Sequence, residues 1–165
     1  MDTCSYFIIN KALFGSSPTQ EIVESLEKMG VRYFVDLTIP NERGIYEYMT
    51  RYKKIAYPIK DFGIPTMGIQ YNTFIKRLCN IIKSLQEGEK IYVHCKGGHG
   101  RCGVVVASIL CMYYCIDSEK SLQLTNTYHK DRKTMREKWR IIGSPQTFEQ
   151  KQFVGDFYKS LIAVK

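Results

Sequence analysis

Ile91-Tyr92-Val93-His94-Cys95-Lys96-Gly97-Gly98-His99-Gly100-Arg101-Cys102-Gly103-Val104-Val105-Val106 is the stretch that decides the fold of this 165-residue chain. Ile91 to His94 is a short run of β-branched and aromatic residues, the pattern of a buried strand. The apolar stretch from about Arg101 to Tyr114 is too long for a strand and reads as a buried helix. Between them stand Gly97, Gly98 and Gly100. A strand that turns tightly into a helix is half of a β-α-β unit, and such units build parallel sheets covered by helices. The expected fold class is α/β, a central, mostly parallel, twisted sheet flanked by helices, with its ligand site at the carboxyl ends of the strands.

The flanking sequence repeats this alternation. Tyr6-Phe7-Ile8-Ile9 and Leu13-Phe14 read as short strands ended by Gly15, and Ser17-Pro18-Thr19 starts a helix that stops at Gly30. Val31 to Leu37 and Ile55 to Ile59 are rich in β-formers. From Ile69 to Gln86 the residues Phe74, Leu78, Ile81, Ile82 and Leu85 recur at three and four, which is one buried helical face. Helices are also expected over Ser118–His129 and Gln146–Ile162. No repeat, linker or low-complexity tract interrupts the chain, so residues 1–165 read as a single domain.

Lys and Arg number 24 against 16 Asp and Glu, a formal charge of +8, while 44% of residues are hydrophobic. That composition excludes disorder and biases the partner toward an anion. Cys4, Cys79, Cys95, Cys102, Cys111 and Cys115 lack the paired spacing of structural zinc sites, and no leader precedes them. They indicate a reducing, intracellular setting, cytoplasmic for a chain without a targeting segment, with Cys111 and Cys115 as core thiols. The longest uncharged stretch, Cys102 to Ile116, is 15 residues and falls short of a membrane span.

The glycine turn has a chemistry of its own. Glycines let successive backbone N–H groups turn inward, and a nest of this kind feeding a helix N-terminus binds a phosphate dianion. The same positive field lowers the pKa of Cys95 and makes its thiolate available near neutral pH. Arg101 supplies a planar fork for two phosphoryl oxygens. Lys96, Gly97, Gly98, His99, Gly100 and Arg101 thus form a candidate phosphate cradle around a candidate nucleophile, Cys95.

These residues resemble the signature of the cysteine-dependent protein tyrosine phosphatases, His-Cys-x5-Arg, and in particular the small dual-specificity phosphatases. Pro58-Ile59-Lys60-Asp61-Phe62-Gly63-Ile64-Pro65 looks like the acid loop of that family, with Asp61, 34 residues before Cys95, as the general acid. Gln146-Thr147-Phe148-Glu149-Gln150 is similar to the stretch that positions the hydrolytic water in the tyrosine-specific branch, which makes Gln146 the candidate and Gln150 its support. The resemblance implies a two-step reaction without metal or other cofactor. Cys95 takes the phosphoryl group while Asp61 protonates the leaving oxygen, and water then hydrolyses the thiophosphate. His94 supports Cys95.

One position departs from the pattern. The hydroxyl residue expected after the arginine is Cys102, either a small tolerated residue or a poorer donor to the nucleophile that slows thiophosphate breakdown. A second thiol beside Cys95 also permits a reversible disulfide.

The resemblance implies phosphorylated protein as substrate, phosphotyrosine together with phosphoserine and phosphothreonine in a shallow cleft. Lys96 is also similar to the phosphoinositide phosphatases of the superfamily, which place a lysine where His99 stands; a protonated His99 would supply that charge, whereas a solvated loop histidine would not. The run from His129 to Arg140 carries Lys130, Arg132, Lys133, Arg136, Lys138 and Arg140. As a helix it would line up Arg132, Arg136 and Arg140, either as a site for an acidic lipid headgroup or RNA 5′ end, or as a solvated face with Trp139 packed inward. The alternatives are therefore a phosphoinositide or RNA 5′-phosphatase on the same scaffold, and a non-catalytic module that binds phosphorylated ligands.

Overall fold

The computed structural model describes residues 2–163. Its five-stranded sheet contains β1 (Cys4–Ile8), β2 (Ala12–Gly15), β3 (Val31–Asp36), β4 (Lys53–Ala56) and β5 (Lys90–His94), in the order β1-β2-β5-β3-β4. β1 and β2 form an antiparallel pair, while β2–β5, β5–β3 and β3–β4 are parallel. The sheet is therefore mostly parallel, and β5 lies at its centre. Ile91, Tyr92, Val93 and His94 are all buried, as a strand covered on both faces requires.

One face is covered by α1 (Gln20–Met29) and by the loop that contains Tyr48, where Val23, Leu26, Phe34, Tyr48 and Tyr92 pack together. Thr19 caps α1 by accepting the Ile22 N–H at 3.2 Å. Gly30 ends the helix in the left-handed region at φ 111°. The other face holds the larger core, built with α2 (Ile69–Ser84), α3 (Gly100–Tyr114), α4 (Ser118–Lys130) and α6 (Phe148–Ala163). Helix α3 is buried from Gly100 through Cys111, so it is apolar all round and carries the cradle of the site into the middle of the molecule. Among the described residues no helix is long and apolar enough to cross a membrane.

Three expectations need correction. The basic run is not one helix: α4 ends at Lys130, residues 131–136 form turns, and α5 is only Glu137–Ile142. Arg140 holds the turn by donating to the carbonyls of Lys130 (2.6 Å) and Arg132 (3.1 Å), and Arg132 turns inward to 3% exposure instead of sharing a face with Arg136. The last helix starts at Phe148, because the Gln150 side chain accepts the Gln146 and Thr147 N–H groups and closes a turn before it. Cys111 is buried, but Cys115 is exposed and ends α3 at φ 55°.

Candidate active site

The end of β5 and the start of α3 are joined by residues 95–99, and the peptide planes of this loop dictate its chemistry. In a trans peptide the carbonyl of one residue and the N–H of the next point in opposite directions. The Lys96 carbonyl accepts the Ser17 N–H at 2.9 Å, the Gly97 and Gly98 carbonyls accept from Arg132, and the His99 carbonyl accepts the Ser144 hydroxyl. Four successive carbonyls are held from outside. The N–H groups of Gly97, Gly98, His99 and Gly100 consequently turn toward the interior of the loop, and the Gly98 N–H donates to the Cys95 sulfur at 3.2 Å. Gly98 has φ 77° and lies against the Gly15 backbone, where a Cβ would sit 2.3 Å from a carbonyl carbon. No side chain fits there.

Cys95 is 3% exposed, and its pKa is lowered to about 6. The largest cause is a hydrogen bond from the Cys102 thiol. Burial opposes it, and the Arg101 charge and the N–H groups of Cys102 and Gly98 assist. Cys102 is itself wholly buried, and burial pushes its thiol far up, so the pair divides into a Cys95 thiolate and a neutral Cys102 donor. The Cys102 sulfur also lies 3.7 Å from the carbonyls of Gly15 and Val93.

Arg101 opens α3 and is almost wholly buried. Glu42 grips it with two charge-assisted hydrogen bonds of 2.7 and 2.9 Å, and the Ile59 carbonyl accepts a third at 3.0 Å. Asp61 approaches the same guanidinium at 3.1 Å, which brings its carboxylate to the loop that holds Cys95. The loop that carries Asp61 is tied to α6 by the Gln150 amide, which donates to the Gly63 carbonyl at 3.1 Å. Asp61, Phe62, Cys95, Lys96, Gly97, His99, Gly100, Trp139 and Gln146 line one cleft of about 270 Å³.

His94 is fully buried, with Nε2 2.8 Å from the Tyr48 hydroxyl and Nδ1 3.4 Å from the Cys95 carbonyl. Burial lowers its pKa to about 4, so it is a neutral buttress at ordinary pH. His99 also departs from the charged alternative. Its ring stacks on Trp139 (centroids 5.3 Å apart), its Nδ1 is 2.7 Å from His129 Nε2, and burial followed by the Arg132 charge lowers its pKa to about 4. It adds no positive charge to the cleft near neutral pH.

The cleft thus contains Cys95, Lys96, Asp61 and Gln146, with Arg101 beneath it and Gln150 behind it. Lys96 is exposed at the rim. Glu42 escaped the sequence reading. It lies in a polar loop, 59 positions before the arginine it holds, and the only available signal was that a buried Arg101 needs a carboxylate. Trp139 and Arg132 were visible only as members of a charged run.

Residues 10–113 match the model of a family described as polymorphic toxin system, DSP-PTPase phosphatase. Candidate tyrosine phosphatase 197R of Invertebrate iridescent virus 6 is 44% identical over 142 residues, 79% of this chain and 53% of that protein. Candidate tyrosine phosphatase 067L of Invertebrate iridescent virus 3 is 39% identical over 163 residues, 95% of this chain and 68% of its own. The chain thus spans about half the length of the first relative and two thirds of the second. Among solved structures, Tk-PTP in its active form superposes with a TM-score of 0.71 at 17% identity, covering 95% of this chain and 97% of the other. PTPMT1 in complex with PI(5)P gives 0.67 at 18% identity, covering 94% of both. These two likenesses bear on the fold.

Proposed function

We propose that this chain, which belongs to the DSP-PTPase phosphatase family, hydrolyses phosphate monoesters of proteins through a cysteinyl-phosphate intermediate. The observation that carries the reading is a buried cysteine with a pKa near 6 inside a cradle of inward N–H groups, beside an arginine already locked for bidentate work. Cys95 attacks phosphorus as the thiolate, and the equatorial oxygens lie among the loop N–H groups and Arg101, which stabilise the charge of the transition state. Substrate phosphate takes over the Arg101 contact that Asp61 holds in its absence. Asp61, as the general acid, delivers a proton to the leaving oxygen. In the second step Asp61 removes a proton from water oriented by Gln146, and the S–P bond breaks.

Phosphotyrosine is the preferred ester, because Phe62 and Trp139 give the cleft aromatic walls that a planar ring can use. Phosphoserine and phosphothreonine enter the same shallow site. A phosphoinositide remains the second reading, supported by Lys96 at the rim and by the fold shared with PTPMT1, the structure of which holds PI(5)P. The neutral His99 and the inward Arg132 weigh against it, and the latter also removes one cation from the proposed RNA or lipid face.

Hydrolysis of an aryl phosphate that is abolished in Cys95→Ser, blocked by vanadate and insensitive to chelators is the expected result. Phosphate-ester binding without turnover would identify a non-catalytic module instead. Incubating Cys95→Ser with phosphopeptides, inositides and 5′-triphosphorylated RNA separates the substrate classes by which of them is retained.

A further inference from the structure

Arg132 lies on no part of the cleft wall, yet it is one of the most completely buried cations in the molecule at 3% exposure. It comes from the turn after α4 and reaches under the cradle. Its Nη1 donates to the Gly97 carbonyl at 3.1 Å and its Nη2 to the Gly98 carbonyl. The guanidinium lies 4.8 Å from the centroid of the Phe14 ring, a cation–π contact that fixes its plane. Burying a guanidinium is expensive, and among the described residues no carboxylate pairs with it. Its Nε is without a hydrogen-bond partner. A cation kept inside on two carbonyls, at that cost, serves those carbonyls.

We propose that Arg132 is a positioning residue for catalysis: by holding the Gly97 and Gly98 carbonyls outward it turns the next two N–H groups, of Gly98 and His99, onto the nucleophile and the phosphate. This rests on the function proposed above and adds a residue to it. One of the two groups already has its target, for the Gly98 N–H donates to the Cys95 sulfur. A planar fork is required because the two carbonyls belong to consecutive peptides, and an ammonium cannot hold both in one plane. The titratable groups that couple to the fork are Cys102, Tyr92, Cys95 and Cys4, together with His99 and His129. The histidines are kept neutral chiefly by burial, with the Arg132 charge next, so no second cation competes for the carbonyls near neutral pH.

The test compares wild type, Arg132→Met and Arg132→Lys by three readouts. These are the pH midpoint for iodoacetamide alkylation of Cys95, followed on its own peptide by mass spectrometry; protection of Cys95 by inorganic phosphate; and kcat/KM on an aryl phosphate. Arg132→Met is expected to move the alkylation midpoint upward, weaken phosphate protection and lower kcat/KM about 100-fold, the scale of a lost oxyanion donor. Arg132→Lys, which keeps the charge without the fork, is expected to show the same losses in smaller degree. Thermal melts report the folded fraction, and added guanidinium ion is expected to restore phosphate protection in Arg132→Ala. A folded Arg132→Met or Arg132→Lys with wild-type midpoint and wild-type protection overturns the proposal. If Arg132→Met does not fold, the lysine variant decides alone. Failure of the catalytic reading is distinguishable: wild type would then lack turnover, while the alkylation midpoint would still report the grip of Arg132.

Discussion

Glu42 and Arg101 meet through two parallel hydrogen bonds, 2.7 and 2.9 Å long, and their side chains are only 9% and 1% exposed. The pair orients the fork before a substrate arrives, so little is left to organise on binding. The bond from Arg101 also holds the Glu42 carboxyl below its ordinary pKa, against the effect of burial. Glu42→Ala should free the guanidinium to swing and leave it without its strongest partner. The expected outcome is a fall of about 10- to 100-fold in kcat/KM with weaker vanadate inhibition, and a lower melting temperature. Glu42→Gln, which keeps one acceptor, should lie between. Unchanged kinetics in a folded Glu42→Ala protein would show that Arg101 is held well enough by Ile59 and the substrate.

Asp61 is tested by leaving group. The amide of Asp61→Asn can still lie near Arg101 but has no proton to deliver, so the loss should grow with the basicity of the leaving oxygen. For phosphotyrosine the expected fall in kcat is on the order of 100- to 1,000-fold, and for an activated nitrophenyl ester much less. Equal losses for both esters would remove Asp61 as the acid.

How far these sites were legible depends on where their partners lie in the chain. The strand, the glycine turn and the helix around Cys95 are contiguous, so local pattern was sufficient for the fold class and for placing Cys95 at the mouth of the turn. Asp61 and Gln146 came from motifs, each a short loop with its own composition. Glu42 and Arg132 reach the site through the folded chain from loops whose sequence shows only polarity. The periodic arginines of the 130–140 run suggested a helix, but periodicity does not record that one guanidinium turns inside and donates to two carbonyls. Cys115 misled for the opposite reason, since an apolar run says nothing about the turn at which it emerges.

The three histidines make the fold sensitive to acid. His94, His99 and His129 have pKa values lowered, mainly by burial, to about 4, 4 and 3 from an ordinary 6.5. The unfolded chain binds these protons as pH falls below about 6.5, whereas the folded chain refuses them until about 4. The stabilisation is therefore complete above 6.5 and is lost progressively below it. Urea midpoints should fall between about pH 7 and about pH 5, with an uptake approaching three protons on unfolding, and His129→Asn should reduce the slope. A midpoint that does not move over this range would contradict the burial of the rings.

Peroxide should inactivate the protein reversibly. The Cys95 thiolate is oxidised by hydrogen peroxide to a sulfenic acid, releasing hydroxide. The Cys102 thiol, in contact with it, then condenses to form the Cys95–Cys102 disulfide with loss of water. Peptide mapping after treatment should find that bond, and dithiothreitol should restore activity. Cys102→Ser should pass instead to sulfinic acid and stay inactive after reduction. Sulfinic acid in the wild type under the same conditions would show that burial of Cys102 keeps it from responding in time.

The identity of residue 102 should also set the pace of the second chemical step. Cys102 is the main support of the Cys95 thiolate, so kcat/KM should rise as pH passes about 6 and the thiol ionises. Cys102→Ala removes the donor and should carry that limb upward. Cys102→Ser substitutes a hydroxyl, a stronger donor than a thiol, and should stabilise Cys95 as the departing thiolate when the S–P bond breaks. In rapid-mixing experiments with an activated aryl phosphate, the phase that follows the burst should accelerate in Cys102→Ser and slow in Cys102→Ala, while the burst itself changes less. A second phase equal in all three proteins would mean that water attack, and not departure of sulfur, limits turnover, and that the thiol at 102 serves the ground state alone.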